Sequence, residues 1–167
     1  MVAFGSESIT FAGPRILPMR KPPVILLADD DENDVLLLRR TFERAKVAGH
    51  FMVVRDGQEA IDYLSGIGKF ADRANYPWPA VMLLDLKMPM LDGFDVLTWW
   101  REHRPARDLP IVVMSSSNQE SDVQRAMALG AAAYHVKSGD LQYLLAFARD
   151  LHEKWLKRRR RTTLRRA

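Results

Sequence analysis

The stretch Val81–Gly93, VMLLDLKMPMLDG, constrains the fold more than any other part of the chain. Val81–Leu84 is an unbroken apolar run that stops on Asp85. A run this short, bounded by turn residues, predicts a strand buried on both faces of a sheet. Pro77 and Pro79 before it and Pro89 after it argue against a helix. Asp85 then stands at the carboxyl end of a central strand, the edge where open parallel sheets form their ligand crevices. A carboxylate there has lost hydration and requires a partner.

The rest of the chain alternates around that strand. Pro22 and Pro23 lead into the apolar run Val24–Ala28, which ends abruptly on Asp29, Asp30 and Asp31. Val35, Leu38, Phe42 and Ala45 then recur at helical spacing opposite Arg39, Arg40, Glu43 and Arg44, and Gly49 is expected to close that helix. Phe51–Val54 predicts a second strand, and Asp56 a cap for a helix carrying Ala60, Ile61 and Leu64. The long connection Gly66–Pro79 holds Phe70, Tyr76 and Trp78, which are expected to pin it to its own domain.

After Asp85, a helix from Phe94 carries Val96, Leu97 and Trp100, and Pro105 and Pro110 break the chain before a strand at Ile111–Met114. Ser117 with Glu120 forms a capping-box pattern for the next helix, which Gly130 ends. Ala132–Val136 predicts a fifth strand, and Leu141, Leu144, Leu145, Ala148, Leu151 and Trp155 one apolar stripe of a last helix. Five strands alternating with five helices predict a parallel sheet covered on both faces, with right-handed crossovers. The alternation leaves the strand order open.

A length of 167 residues, 47% of them apolar, suits one globular domain. There are no cysteines, which excludes a disulfide framework and thiolate metal sites and accords with a cytoplasmic setting. No apolar run approaches the roughly 20 residues of a membrane span, and no secretory signal is apparent. The charge is divided. Eight of the 25 basic residues, including Arg158–Arg161, fall in positions 154–167 with no acid among them, leaving 17 against 21 acidic residues before them. The chain therefore divides into an irregular arm at 1–21, a domain at 22–155 and a basic tail at 156–167. The arm either lies free or docks through Phe11, Ile16 and Leu17. The tail either extends the last helix or meets an anionic partner, nucleic acid or membrane.

Every strand-to-helix junction of a parallel sheet lies on one edge. That edge gathers Asp29, Asp30 and Asp31 after strand 1, Asp85 after strand 3, Ser115, Ser116 and Ser117 after strand 4, and Lys137 after strand 5. If strands 1 and 3 are neighbours, Asp30 and Asp85 converge. Two like charges about 4 Å apart repel by about 4 kcal/mol at an effective dielectric near 20. Carboxylates gathered so closely call for a hard cation with oxygen ligands, namely Mg²⁺. Each part has a plainer reading: an acidic run caps a helix, a serine run forms a turn, and a lysine at a strand end is solvated. A calcium loop fits poorly, because Asp34 and Arg40 stand where Gly and Glu are needed. Four such junctions on one edge favour the joint reading.

Residues 24–155 resemble the receiver domain of two-component response regulators. The matching pieces are ILLADDDENDV (Ile25–Val35), MLLDLKMPMLDG (Met82–Gly93), PIVVMSSS (Pro110–Ser117) and AAAYHVK (Ala131–Lys137). The long Gly66–Pro79 connection and the expected absence of a further domain resemble the stand-alone regulators paired with bacterial phytochromes and other histidine kinases.

The resemblance implies a flavodoxin-like α/β fold with strand order 2-1-3-4-5. It implies that Asp85 accepts a phosphoryl group from a histidine kinase, and that the chain catalyses only its own phosphotransfer and dephosphorylation. Asp30 and Asp85 would ligate Mg²⁺ directly, Asp29 through water, and Lys87 through its backbone carbonyl. Lys137, Ser115 and Ser116 would bind the phosphoryl group, and Tyr134 would be the switch aromatic. Its movement would alter the face made by helix 4, strand 5 and helix 5, which would also serve a homodimer. The alternative is an unphosphorylated scaffold. Ser138 stands where the family usually has proline, so a trans bond is expected there. Trp99 and Trp100 are adjacent, and one of them is expected to face outward as a further contact.

Overall fold

A computed structural model describes residues 21–103 and 108–157. The arm before Lys21, Pro105 and the tail from Arg158 lie outside the described residues. The elements are β1 (Val24–Ala28), α1 (Glu32–Arg44), β2 (His50–Val54), α2 (Gly57–Ser65), β3 (Val81–Leu84), α3 (Gly93–His103), β4 (Ile111–Ser115), α4 (Glu120–Ala128), β5 (Ala133–Val136) and α5 (Leu141–Leu151). The five strands form one parallel sheet in the order β2-β1-β3-β4-β5, so β3 lies beside β1. No described helix is long and apolar enough to cross a membrane.

The alternation of side chains along each strand divides the core in two. Leu26, Met82, Leu84 and Val113 face a layer containing Tyr63, Leu64, Leu97 and Ala126 of α2, α3 and α4. Ile25, Leu27, Leu83 and Val112 face Val35, Leu38, Phe42, Phe147, Ala148 and Leu151 of α1 and α5. β1, β3 and β4 are buried along their whole length, as their apolar runs require. The hydrophobic layers thus clamp the three central strands and leave only the sheet's edges open to solvent.

The Gly66–Pro79 connection is pinned as its aromatics suggested. Phe70 is buried and contacts the rings of Tyr63 and Tyr76 at 5.1 Å each. The Tyr63 hydroxyl donates to the Pro77 carbonyl at 2.7 Å, and burial pushes its pKa up to about 12. Arg73 donates to the carbonyls of Leu64 and Tyr76.

Asp56 caps α2 by accepting the Glu59 amide, and Gly130, at φ 99°, follows α4. Three local expectations are corrected. α1 ends at Arg44, well before Gly49, and the left-handed residue after it is Lys46, at φ 56°. Gly49 instead makes room for Ile25, whose Cδ1 would lie 2.6 Å from an added Cβ. α4 has no side-chain cap from Ser117; Gln119 precedes it, and Ser117 bonds Asp122 instead. Neither tryptophan of α3 faces outward, because Trp99 and Trp100 are both half-buried against the α2–α4 layer.

A carboxylate cluster at the carboxyl edge of the sheet

The register of the central strands assembles the site. Ala28 pairs with Leu84, so the residues that follow them, Asp29 and Asp85, emerge side by side. The Asp85 amide donates to the Ala28 carbonyl at 2.9 Å, which extends the ladder to the carboxylate itself. Ser115 pairs with Val136, and the Lys137 amide donates to the Ser115 carbonyl at 2.8 Å. β1 and β3 therefore deliver the acids, and β4 and β5 the hydroxyl and the ammonium.

The DDDEND run is both a helix cap and part of the cluster. Asp31 caps α1 by accepting the Asn33 amide at 2.8 Å. Asp29 and Asp30 instead converge with Asp85, with carboxylate oxygens within 4.8 Å of one another. Asp29 and Asp85 are buried, at 1% and 6% exposure, whereas Asp30 opens to solvent. Burial pushes the pKa of both Asp29 and Asp85 up, and Lys137 opposes that push. Three oxygens this close, on a partly dry edge, have the chemistry and spacing of a hard-cation site.

Lys137 reaches into the same cluster. Its Nζ lies 3.3 Å from Asp85 Oδ2, 2.9 Å from Asp29 Oδ2 and 2.7 Å from Asp34 Oδ2. Burial alone would lower its pKa, but the hydrogen bonds to Asp34 and Asp29 and the charge of Asp85 raise it overall. Asp34 escapes a reading of the sequence because it looks like one more acid in a helix's first turn. Its position five residues beyond Asp29, in the first turn of α1, is the signal that it shares the edge.

Ser115 is fully buried, and its Oγ accepts the Ser117 amide at 3.1 Å, leaving the hydroxyl proton free to be donated. Ser116 is exposed. The Lys87 backbone hydrogen-bonds the Asp85 carboxylate. Tyr134 is half-buried against the α2–α4 layer, and its hydroxyl donates to the Ser117 carbonyl at 2.9 Å. The described peptide bonds are all trans, Lys137–Ser138 included.

A cavity of about 1060 Å³ opens at the other end of the sheet, lined by Lys46, His50, Trp78, Ala80 and His152 among others. No carboxylate lines it, so its size does not make it the candidate centre.

Known proteins are similar to this chain in sequence and fold. The family model described as the response regulator receiver domain matches residues 25–149. The response regulator Rcp1 of Synechocystis sp. is 30% identical over 120 residues, covering 72% of this chain and 80% of that protein. A solved structure of Rcp1 is an Mn²⁺-bound form, with a TM-score of 0.69 over 81% of this chain and 95% of that one. The response regulator RPA3017, in red light signalling of R. palustris, is 35% identical with a TM-score of 0.75, covering 80% and 94% of the two chains. The bacteriophytochrome response regulator RtBRR is 41% identical with a TM-score of 0.66, covering 78% of each chain. With its family-model match, its strand order and its acidic edge, this chain belongs to the response regulator receiver domain family.

Proposed function

We propose that the protein is a phosphorylation-dependent signalling switch in which Asp85 accepts a phosphoryl group from a histidine kinase. One observation carries the reading: Asp85 is buried where Asp29, Asp30 and the Lys137 ammonium converge, with Ser115 on the neighbouring strand. A carboxylate oxygen of Asp85 attacks the phosphorus of a phosphohistidine, the O–P bond forms as the P–N bond breaks, and the imidazole leaves with the electron pair. Little further chemistry is asked of the protein, so positioning and charge neutralisation do the work.

Asp29, Asp30, Asp85 and the Lys87 carbonyl would hold the metal. Mg²⁺ is the natural ion for an all-oxygen set, and when bound it supplies charge neutralisation for the transferring oxygens. Lys137 stabilises the phosphoryl oxygens as a point charge, and the Ser115 hydroxyl donates to one of them; exposed Ser116 lies at the mouth. The kinase partner is of the phytochrome type, a reading supported by the likeness to the bacteriophytochrome response regulator RtBRR and to RPA3017 of red light signalling. The output surface is the α4-β5-α5 face, which leaves Met127, Val136 and Tyr143 exposed and can serve a second copy of the chain. Tyr134 lies between the site and that face, hydrogen-bonded to the β4–α4 loop. The division into arm, domain and basic tail completes the proposal.

The test is the intact mass of the full chain after acetyl phosphate and Mg²⁺, beside Asp85→Asn. A phosphoryl-sized increase that needs both Asp85 and Mg²⁺ is expected. No increase, with acetyl phosphate or with phosphorylated kinases as donors, would favour a constitutive scaffold.

A further inference from the structure

The three charged contacts of Lys137 are not equivalent. The shortest, 2.7 Å, is to Asp34, while Asp29 lies at 2.9 Å and Asp85 at 3.3 Å. Asp29 and Asp85 also belong to the group of converging carboxylates, and Asp34 stands outside it. The Asp34 side chain is 35% exposed, against 2% for Asp29 and 7% for Asp85. Lys137 thus has two partners that it must share with a cation and one that it need not share.

We propose that Asp34 is a positioning residue for Lys137, holding the ammonium at the mouth of the cluster when Asp29 and Asp85 direct their charge to a divalent cation. The inference rests on the reading of the cluster as a metal and phosphoryl site. Lysine is a point charge on a flexible stem with three rotatable donors, so its position depends on what anchors it. Neutralising Asp29 and Asp85 removes the attraction that keeps it inside. Asp34 is unaffected, because it is carried on the first turn of α1, where the Val35 amide donates to the Asp31 carbonyl at 3.1 Å. A charge-assisted bond of this length is among the stronger polar contacts. It occupies one ammonium proton and leaves two for phosphoryl oxygens, so Asp34 orients the lysine without consuming it. Asp31 and Asp34 therefore divide the labour of one helix start: Asp31 caps the backbone and Asp34 aims Lys137, the residue that follows β5.

The test follows the ¹⁵Nζ signal of Lys137 in the full chain, assigned by its loss in Lys137→Arg, with and without saturating Mg²⁺. In the wild type the signal is expected to stay protected from solvent exchange when Mg²⁺ is added. In Asp34→Ala it is expected to broaden away under Mg²⁺, and Asp34→Glu should restore it in part. Phosphorylation of Asp34→Ala by acetyl phosphate should be slower by roughly 3- to 10-fold at saturating Mg²⁺, the loss of one charge-assisted bond. A Lys137 signal that persists in Asp34→Ala under Mg²⁺ overturns the proposal, as does a wild-type signal lost on adding Mg²⁺. An unchanged phosphorylation rate in Asp34→Ala also overturns it. Absence of phosphorylation in the wild type would instead sink the phosphoacceptor reading, while the Lys137 signal would still decide the role of Asp34.

Discussion

The Tyr134 hydroxyl donates to the Ser117 carbonyl across 2.9 Å and ties β5 to the loop between β4 and α4. Ser117 is the hub of that loop. Its amide donates to Ser115 Oγ at 3.1 Å, its hydroxyl donates to Asp122 Oδ2 at 2.6 Å, and the same oxygen accepts the Gln119 amide at 3.3 Å. One residue thereby joins the proposed phosphoryl-binding hydroxyl, the first turn of α4 and the ring on β5.

Tyr134→Phe keeps the ring in the core and removes only the bond to Ser117. Stability is expected to fall by about 0.5–1.5 kcal/mol, the net worth of one such bond. Amide exchange should quicken at Ser116–Gln119 and stay unchanged in α1. Equal exchange in the two proteins would show that the hydroxyl does not restrain the loop.

Gly93 is required by close approach. A Cβ there would lie 2.4 Å from the Asp85 carbonyl oxygen and 2.7 Å from Leu86 Cα, backbone atoms that cannot step aside. The Gly93 amide also donates to the Leu86 carbonyl at 3.1 Å. Gly93→Ala is expected to lose about 1–3 kcal/mol in denaturant melts, as overpacking does. The same substitution displaces the segment that carries Asp85, so its phosphorylation by acetyl phosphate should slow as well.

Asp85→Asn should stabilise the protein at neutral pH without divalent metal. Burial raises the Asp85 pKa in the fold, with the charge of Asp29 adding to it and Lys137 opposing it. The folded state therefore disfavours the ionised form. Wild-type stability grows as pH falls through the folded pKa toward the unfolded value of 3.8. Asparagine removes the charge at every pH, and Lys137 keeps Asp29 and Asp34. A gain on the order of 1 kcal/mol, about 2–4 °C in Tm, is expected at pH 7. The difference should narrow on acidification, and also on adding Mg²⁺, which stabilises the wild type by binding. A variant less stable than the wild type at pH 7 without metal would contradict this account.

His135 gives an opposite pH dependence. Its ring packs on Phe147 at 4.7 Å and its Nδ1 meets the Tyr143 hydroxyl at 3.1 Å. Burial lowers its pKa below the ordinary 6.5, with Asp150 opposing and Lys154 adding to the shift. The contribution of the neutral ring is fully present above the unfolded value of 6.5 and is lost as pH falls through the lower folded pKa. Stability should drop on acidification below about pH 6.5, and His135→Gln should flatten that step. NMR titration of the His135 ring should give a value below 6.5; one above it would reverse the prediction.

The sequence alone determined the alternation, the two core layers and the edge on which the chemistry lies. These follow from local patterns: unbroken apolar runs at Val24–Ala28 and Val81–Leu84, the helical stripe of α5, and acids that begin where the apolar runs stop. Desolvation drives such short runs into the core, and the turn residues that flank them make them strands. Only the tertiary structure decided that Asp34 joins Asp29 and Asp85 around Lys137. Asp34 and Asp85 are separated from it by 103 and 52 positions, and the packing of α1 against the sheet brings them within reach of one ammonium. Ser117 shows the same limit. Its spacing to Glu120 fits a capping box, yet its hydroxyl donates to Asp122 and its amide to Ser115 Oγ, so the groups a capping box needs are already taken. Lys46, two residues past the end of α1, takes the left-handed turn, and Gly49 lies beside Ile25. Local propensity places elements; where a polar side chain has several partners of similar energy, the three-dimensional surroundings choose.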